Sequence, residues 1–196
     1  PGFASNVVIQ MISRANPGLM TIIGLQSGTA EDIQRYASPE LCEEFLPRFA
    51  SGEVMGSMDL TEPQAGSDLG AIQTRASDTD DPLISKINGQ KIFITNGVTA
   101  DLLVVAARTN PEAKKHRGIS MFLVPTSAEG YSISPIQTLG GVRTNATFYE
   151  GVRVPHKYLI GGENNGWSLI TGQLNHERGS LSNYAPMQTL PREVRE

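Results

Sequence analysis

The period of the apolar residues changes twice along this chain, and that change constrains the fold more than any other feature. Up to Ser51-Gly52 the apolar positions fall at helical spacing: Ile9 and Ile12, then Leu19, Ile22 and Ile23. Asn16-Pro17 separates two segments, because proline disfavours helix in the residue before it. Ser38-Pro39-Glu40 reads as a helix start, with serine as N-cap and proline in the first turn. The helix behind it presents Leu41, Phe45 and Leu46 to a core. From Val54 the pattern becomes that of strands. Val54, Gly56, Met58 and Leu60 bracket a short one, Leu102–Ala107 and Ile119–Val124 are continuous apolar runs, and Tyr131–Ser134 and Thr147–Val152 alternate. Asn88-Gly89 lies between the runs Leu83–Ile87 and Lys91–Thr95 and predicts a type I′ hairpin turn. Asn110–Arg117 is polar and reads as an exposed loop. From Trp167 the helical period returns with Leu169, Ile170, Leu174 and Leu181. The expected class is α+β: part of an N-terminal helical domain over 1–53, a middle β-barrel or sandwich over 54–160, and the start of a C-terminal helical domain over 161–196.

Composition narrows the function classes. A chain of 196 residues with 39% hydrophobic and 18% charged residues folds rather than staying disordered. A net charge of −4 argues against a nucleic-acid surface, which would carry a basic stripe. No apolar run approaches the roughly 20 residues that span a bilayer. Cys42 is the only cysteine, which removes an intrachain disulfide and a cysteine-based metal site and fits a reducing compartment, cytoplasmic or mitochondrial-matrix. His116, His156 and His176 are dispersed without metal-ligand spacing. No G-x-G-x-x-G follows a strand, and Gly161–Gly166 reads as a plain turn rather than a phosphate loop. The chain opens without Met, and its last residues, 191–196, read as the first turn of a helix, so a piece of a longer protein is expected.

Two segments carry candidate chemistry. Thr61-Glu62-Pro63-Gln64-Ala65-Gly66-Ser67-Asp68 joins two hydroxyls and two carboxylates around a Pro and a Gly. Pro63 stiffens the turn and Gly66 permits close approach of the backbone to a ligand. Free N–H groups beside small side chains suit a planar heterocycle or a phosphate. A strand-to-helix turn with Ser67 as N-cap is the alternative, and the residues alone leave both open. In Gly89–Gly97, Phe93 and Thr95 share one strand face, offering a ring to stack and a hydroxyl to bond. The plainer alternative is a core Phe with an edge Thr.

Taken together, T-E-P-x-A-G-S-D at Thr61 and G-Q-K-x-F-I-T-N-G at Gly89 resemble the acyl-CoA dehydrogenase family. Phe45-Leu46-Pro47 with Ser51-Gly52-Glu53, Gly118–Val124, Gly151–Pro155 and Glu177-Arg178 resemble further family segments, and the likeness covers roughly residues 18–182. It implies an N-terminal helical domain, a middle β domain and a C-terminal bundle, with FAD between the last two. The stretch from Met58 through Leu60, Thr61 and Gly66 to Ser67 is then expected to line the flavin and its pyrophosphate, with Thr61 on the pyrimidine side. Phe93 takes the place of an aromatic that packs on the ring, with Ile94 beside it and the Thr95 hydroxyl near N5. Ser67, Arg178 and Asn175 are expected to meet substrate, although Asn175 stands where the family commonly has Asp. The implied reaction is α,β-dehydrogenation of an acyl-CoA thioester to the 2,3-enoyl-CoA: a carboxylate takes the α-proton while the β-hydrogen leaves as hydride. The family's carboxylate base lies in the C-terminal bundle, so neither Glu62 nor Glu177 is taken for it. The implied partners are acyl-CoA, an electron-transfer flavoprotein as electron acceptor, and further copies in a homo-oligomer at full length. An oxygen-using flavin relative, of the monooxygenase or nitroalkane-oxidase kind, and a non-catalytic DNA-associated member stand as alternatives. The acidic balance weighs against the last.

Overall fold

The computed structural model describes residues 2–141 and 143–180. Helices α1 (Gly2–Ala15) and α2 (Pro17–Tyr36) meet at Asn16, whose side-chain oxygen accepts from the Leu19 N–H at 3.0 Å while Pro17 opens α2. Helix α3 (Pro39–Ser51) starts as its sequence predicts: the Ser38 hydroxyl accepts from the Leu41 N–H, satisfying one otherwise unpaired amide. It ends at Gly52, in the left-handed conformation that glycine adopts without a Cβ penalty. Its buried stripe is Leu41, Phe45 and Phe49, one residue per turn.

The strands are β1 (Gly56–Asp59), β2 (Arg75–Asp78), β3 (Ile84–Ile92), β4 (Leu102–Arg108), β5 (Ile119–Pro125), β6 (Tyr131–Gln137), β7 (Arg143–Pro155) and β8 (Leu159–Ile160). They form one mixed sheet in the order β6-β7-β3-β2-β4-β5-β8, with β1 parallel to the first half of β4. The continuous apolar runs of β4 and β5 have a direct cause. Leu102, Val104 and Ala106 pack with Ile119, Met121 and Leu123 against the helices, while Leu103, Val105 and Ala107 pack with Phe122 and Val124 against the β3–β7 part of the sheet. A strand buried on both faces has no polar side to show. Helix α4 (Gly166–Ser180) closes the helical core with Leu169 and Ile170; Leu181 lies outside the described residues.

Asn88-Gly89 is not a hairpin turn. β3 runs straight through it, paired to β7 from Ile84↔Pro155 to Ile92↔Ala146, with a bulge at Ile87/Asn88. The extra residue is Gly151, at φ +71°, whose N–H donates to the Asn88 side-chain oxygen at 2.8 Å. Gly89 serves a close approach instead, since a Cβ there would stand 2.4 Å from Thr74 Oγ1. Asn-Gly chemistry was present but answered a bulge and a crossing rather than a chain reversal. The reversal lies at Thr79–Leu83, where the Thr79 hydroxyl donates to the carbonyls of Asp81 and Ile84. It joins β3 to β2, a strand whose mixed composition gave no sequence signal.

Candidate functional site

The two motifs meet at one end of β1 and β3. The Ile92 N–H donates to the Thr61 carbonyl at 2.9 Å, and the Ser57 hydroxyl of β1 donates to the Thr95 carbonyl at 2.5 Å. Between these ties the chain turns at Phe93, a bulky residue held at φ +61°. Strand alternation buries Ser85, Ile87 and Lys91 and would point Phe93 inward with them. The left-handed residue reverses this, leaving the Phe93 ring 63% exposed and burying Ile94, whose N–H and C=O both bond to Asn145. An exposed aromatic on sterically costly backbone is a mark of a working surface.

Around it, Met58, Leu60, Thr61 and Thr95 are half-buried and Gly66 and Ser67 are exposed. The hydroxyls of Thr61, Ser67 and Thr95 make no hydrogen bond among the described residues, whereas those of Ser57, Thr74 and Thr147 are all bonded within the fold. Ser67 is not an N-cap: the following 3-10 turn, Leu69–Ala71, is preceded by Asp68 and carries no side-chain cap. Asn175 is exposed on α4, and Arg178 follows on the same helix. The sequence expectation of Phe93 and Thr95 on one strand face is replaced by a turn that presents both.

Behind the turns lies a charged cluster that the motif reading missed. Glu62 and Lys91 form an ion pair at 2.9 Å with side chains 2% and 0% exposed. Glu62 also accepts from the Gln64 side chain and from the Gln73 and Thr74 N–H groups, while Lys91 donates to the Leu60 carbonyl at 3.1 Å. Burial pushes the Glu62 carboxyl up, but Lys91 and the Gln73 N–H hold it below the usual carboxylate range. A carboxylate committed to four donors has no lone pair free to take a substrate proton. Asp59 is fully buried, accepting from Thr147 and Tyr149 at 2.6 Å each; burial raises its carboxyl, and those two bonds and Lys91 oppose the rise. A surface cleft of about 380 Å³ lined by Arg75, Ser77, Ser85 and His156 lies elsewhere and contains none of the motif residues. Among the described residues no group of His, Cys, Asp and Glu could hold a metal ion, and no helix is long and apolar enough to cross a membrane.

Residues 2–53 match the N-terminal domain of the acyl-CoA dehydrogenase family, and residues 57–150 match its middle domain. The chain belongs to the acyl-CoA dehydrogenase family. It is 46% identical over 173 residues to acyl-CoA dehydrogenase FadE26 of Mycobacterium tuberculosis, across 87% of this chain and 43% of that one. It is 32% identical to glutaryl-CoA dehydrogenase of Desulfococcus multivorans, across 91% of this chain and 46% of that one. Among solved structures, the ChsE4-ChsE5 complex from Mycobacterium tuberculosis superposes with a TM-score of 0.77 at 46% identity, covering 85% of this chain and 43% of that one. An acyl-CoA dehydrogenase from Geobacillus kaustophilus does so with a TM-score of 0.84 at 35% identity, covering 89% and 46%. The chain thus spans less than half the length of the relatives it matches.

Proposed function

We propose that this chain carries the β-domain side of an FAD site in an enzyme that dehydrogenates an acyl-CoA thioester to its 2,3-enoyl-CoA. The supporting observation is local: an exposed Phe93 ring on left-handed backbone, flanked by the uncommitted hydroxyls of Thr61 and Thr95. These residues fit a flat ring system edged with hydrogen-bonding atoms. Phe93 offers it a face to pack on, Thr61 and Thr95 offer donors at its edge, and Met58 and Leu60 exclude water from it. Bound there, FAD would supply the hydride acceptor. Hydroxyls held uncommitted beside the bound ring would stabilise negative charge on it. Ser67, exposed on the same turn, is our assignment for contact with the CoA portion of the substrate, and Asn175 and Arg178 of α4 for contact with substrate. Glu62 takes no part in proton removal, since all its acceptor capacity is used inside the fold.

Three finer readings draw on the relatives. Two solved structures at 45% and 43% identity are named as steroid acyl-CoA dehydrogenases, against 31% for a glutaryl-coenzyme A enzyme and 27% for a butyryl-CoA enzyme. That ordering favours a bulky polycyclic acyl group over a short one. The same titles, like that of the ChsE4-ChsE5 complex, pair two chains, which favours assembly with a second chain of this family. An electron-transfer flavoprotein, named in another neighbour's title, is the proposed electron acceptor.

The test is the visible spectrum of the purified chain titrated with FAD, then with steroid-type and short-chain acyl-CoAs without oxygen. Perturbation of the flavin bands by the chain, lost in Thr95→Val, is the expected result. An unperturbed spectrum at saturating FAD refutes the assignment of this face. Flavin that acyl-CoA does not reduce but that, once reduced with dithionite, is rapidly reoxidised by oxygen would favour an oxygen-using relative.

A further inference from the structure

Glu62 and Lys91 come from the two different motifs, and each stands next to a ring-facing residue. Glu62 directly follows Thr61, and Lys91 lies two positions before Phe93. Their ion pair crosses from the end of β1 to the end of β3 in an interior where neither side chain reaches water. Such a pair is poor value for stability alone, because removing two charges from water costs as much as their attraction returns, and an apolar pair often does as well. Nor does Glu62 need Lys91 for satisfaction, since two backbone N–H groups and Gln64 already donate to it. What the lysine adds is position. It bonds the Leu60 carbonyl and the Glu62 carboxylate together, so the backbone leading into Thr61 is tied to the strand leading into Phe93. It also adds a sign of charge. The ammonium is the group against the Leu60 carbonyl, whereas the Glu62 charge is spread over four donors.

We propose that the Lys91–Glu62 pair is a positioning device for the flavin site, fixing the separation of the two ring-facing turns and setting a positive charge behind the Leu60-Thr61 backbone. This rests on the reading that these turns face FAD. Lys91 and Glu62 act through the turns and touch neither cofactor nor substrate. A cation held behind the ring's edge favours the electron-rich, reduced flavin, so its loss makes the bound cofactor harder to reduce.

The test compares the whole chain with Lys91→Met, Glu62→Gln and the double variant. Each single change leaves one buried charge without its counter-charge and serves as the unfolding control; the double change removes both charges and leaves a neutral amide whose one oxygen can still accept from either Gln73 or Thr74. Three quantities are read: exchange of the Ile92 and Thr74 amides without flavin, the FAD dissociation constant, and the midpoint potential of the bound flavin. The double variant is expected to stay folded, to exchange its Ile92 amide faster, to bind FAD roughly tenfold more weakly, and to hold flavin at a more negative potential. Wild-type affinity and potential in the double variant overturn the proposal. Weaker binding at an unchanged potential overturns it too, since that makes the pair purely structural. If the wild-type chain binds no FAD, the reading of the site fails instead, and unchanged Ile92 exchange in the double variant then overturns the latch as well.

Discussion

Asp32 should make this protein less stable as pH rises through neutrality. The residue sits on α2 at 3% exposure, and its carboxyl receives no hydrogen bond among the described residues. Burial is the main reason its pKa is pushed up to about 7, with the neighbouring Glu31 charge adding and Arg35 opposing. Arg35 helps little because it is already paired with Glu31 one turn away. The sign follows from linkage. The folded pKa lies above the unfolded value of roughly 3.9, so the native state holds this proton more tightly. The stabilisation is complete below about pH 4 and is lost as pH rises through about 7. At about 1.4 kcal/mol per unit, the span reaches up to about 4 kcal/mol, a large share of a typical domain's 5–15 kcal/mol. Asp32→Asn keeps the shape and removes the ionisation. Its buried amide adds a constant, pH-independent cost. The difference in unfolding free energy between variant and wild type should therefore swing toward the variant by about 2–4 kcal/mol between pH 4.5 and pH 8.5. Urea unfolding followed by circular dichroism measures it. A difference that stays constant across that range would falsify the argument that burial, uncompensated, governs this carboxyl.

Three further outcomes are expected. Gly89→Ala should cost about 1–3 kcal/mol in urea unfolding, because the new Cβ meets Thr74 Oγ1 at 2.4 Å and its Cα at 2.6 Å; Gly66→Ala, with nothing within 4 Å, should change stability by less than about 0.5 kcal/mol yet weaken FAD binding. Phe93→Asn should leave stability within about 1 kcal/mol, since relief of left-handed strain worth about 1–2 kcal/mol offsets the little ring surface it buries, while FAD titration shows weaker binding. Tyr149→Phe should lower stability by about 1–3 kcal/mol in thermal melts, because it takes one of two donors from the fully buried Asp59.

The helices and the central strands were legible because burial alone sets their patterns. α3 announces itself with Ser38, Pro39 and Gly52, and β4 and β5 with runs that only a doubly buried strand needs. Asn88-Gly89 misled because the same residue pair also serves a side-chain bond at a bulge and a close backbone approach, and what separates these from a turn is Gly151, sixty-odd residues away on β7, and Thr74. The candidate site was legible as two motifs, not as geometry. Lys91 did carry a signal: it falls on the inward parity of Ser85 and Ile87, so a charge was due inside and a buried acid had to meet it. Phe93 has that same parity and yet faces solvent, and no local pattern announces a left-handed phenylalanine.

Several departures from ordinary folding rules gather around the two motifs. The ion pair with neither partner in water, the buried Asp59 with one oxygen unbonded, the strained Phe93 and the idle hydroxyls of Thr61 and Thr95 fall within two short stretches, 57–67 and 91–97. Others lie elsewhere, among them the buried Asp32 on α2 and the unbonded Tyr131 hydroxyl beside the second core. Stability alone does not select any of these features, and several oppose it: an apolar pair could replace the ions, and asparagine or glycine would sit more easily at position 93. Such features gathered at one place, beside an exposed ring and two free hydroxyls on strand ends, support the proposed ligand face there. The Phe93 and Thr95 variants bear on this directly. If both bind FAD as tightly as the wild type, the cluster of departures has another cause, and the flavin must be sought on a different face of the sheet.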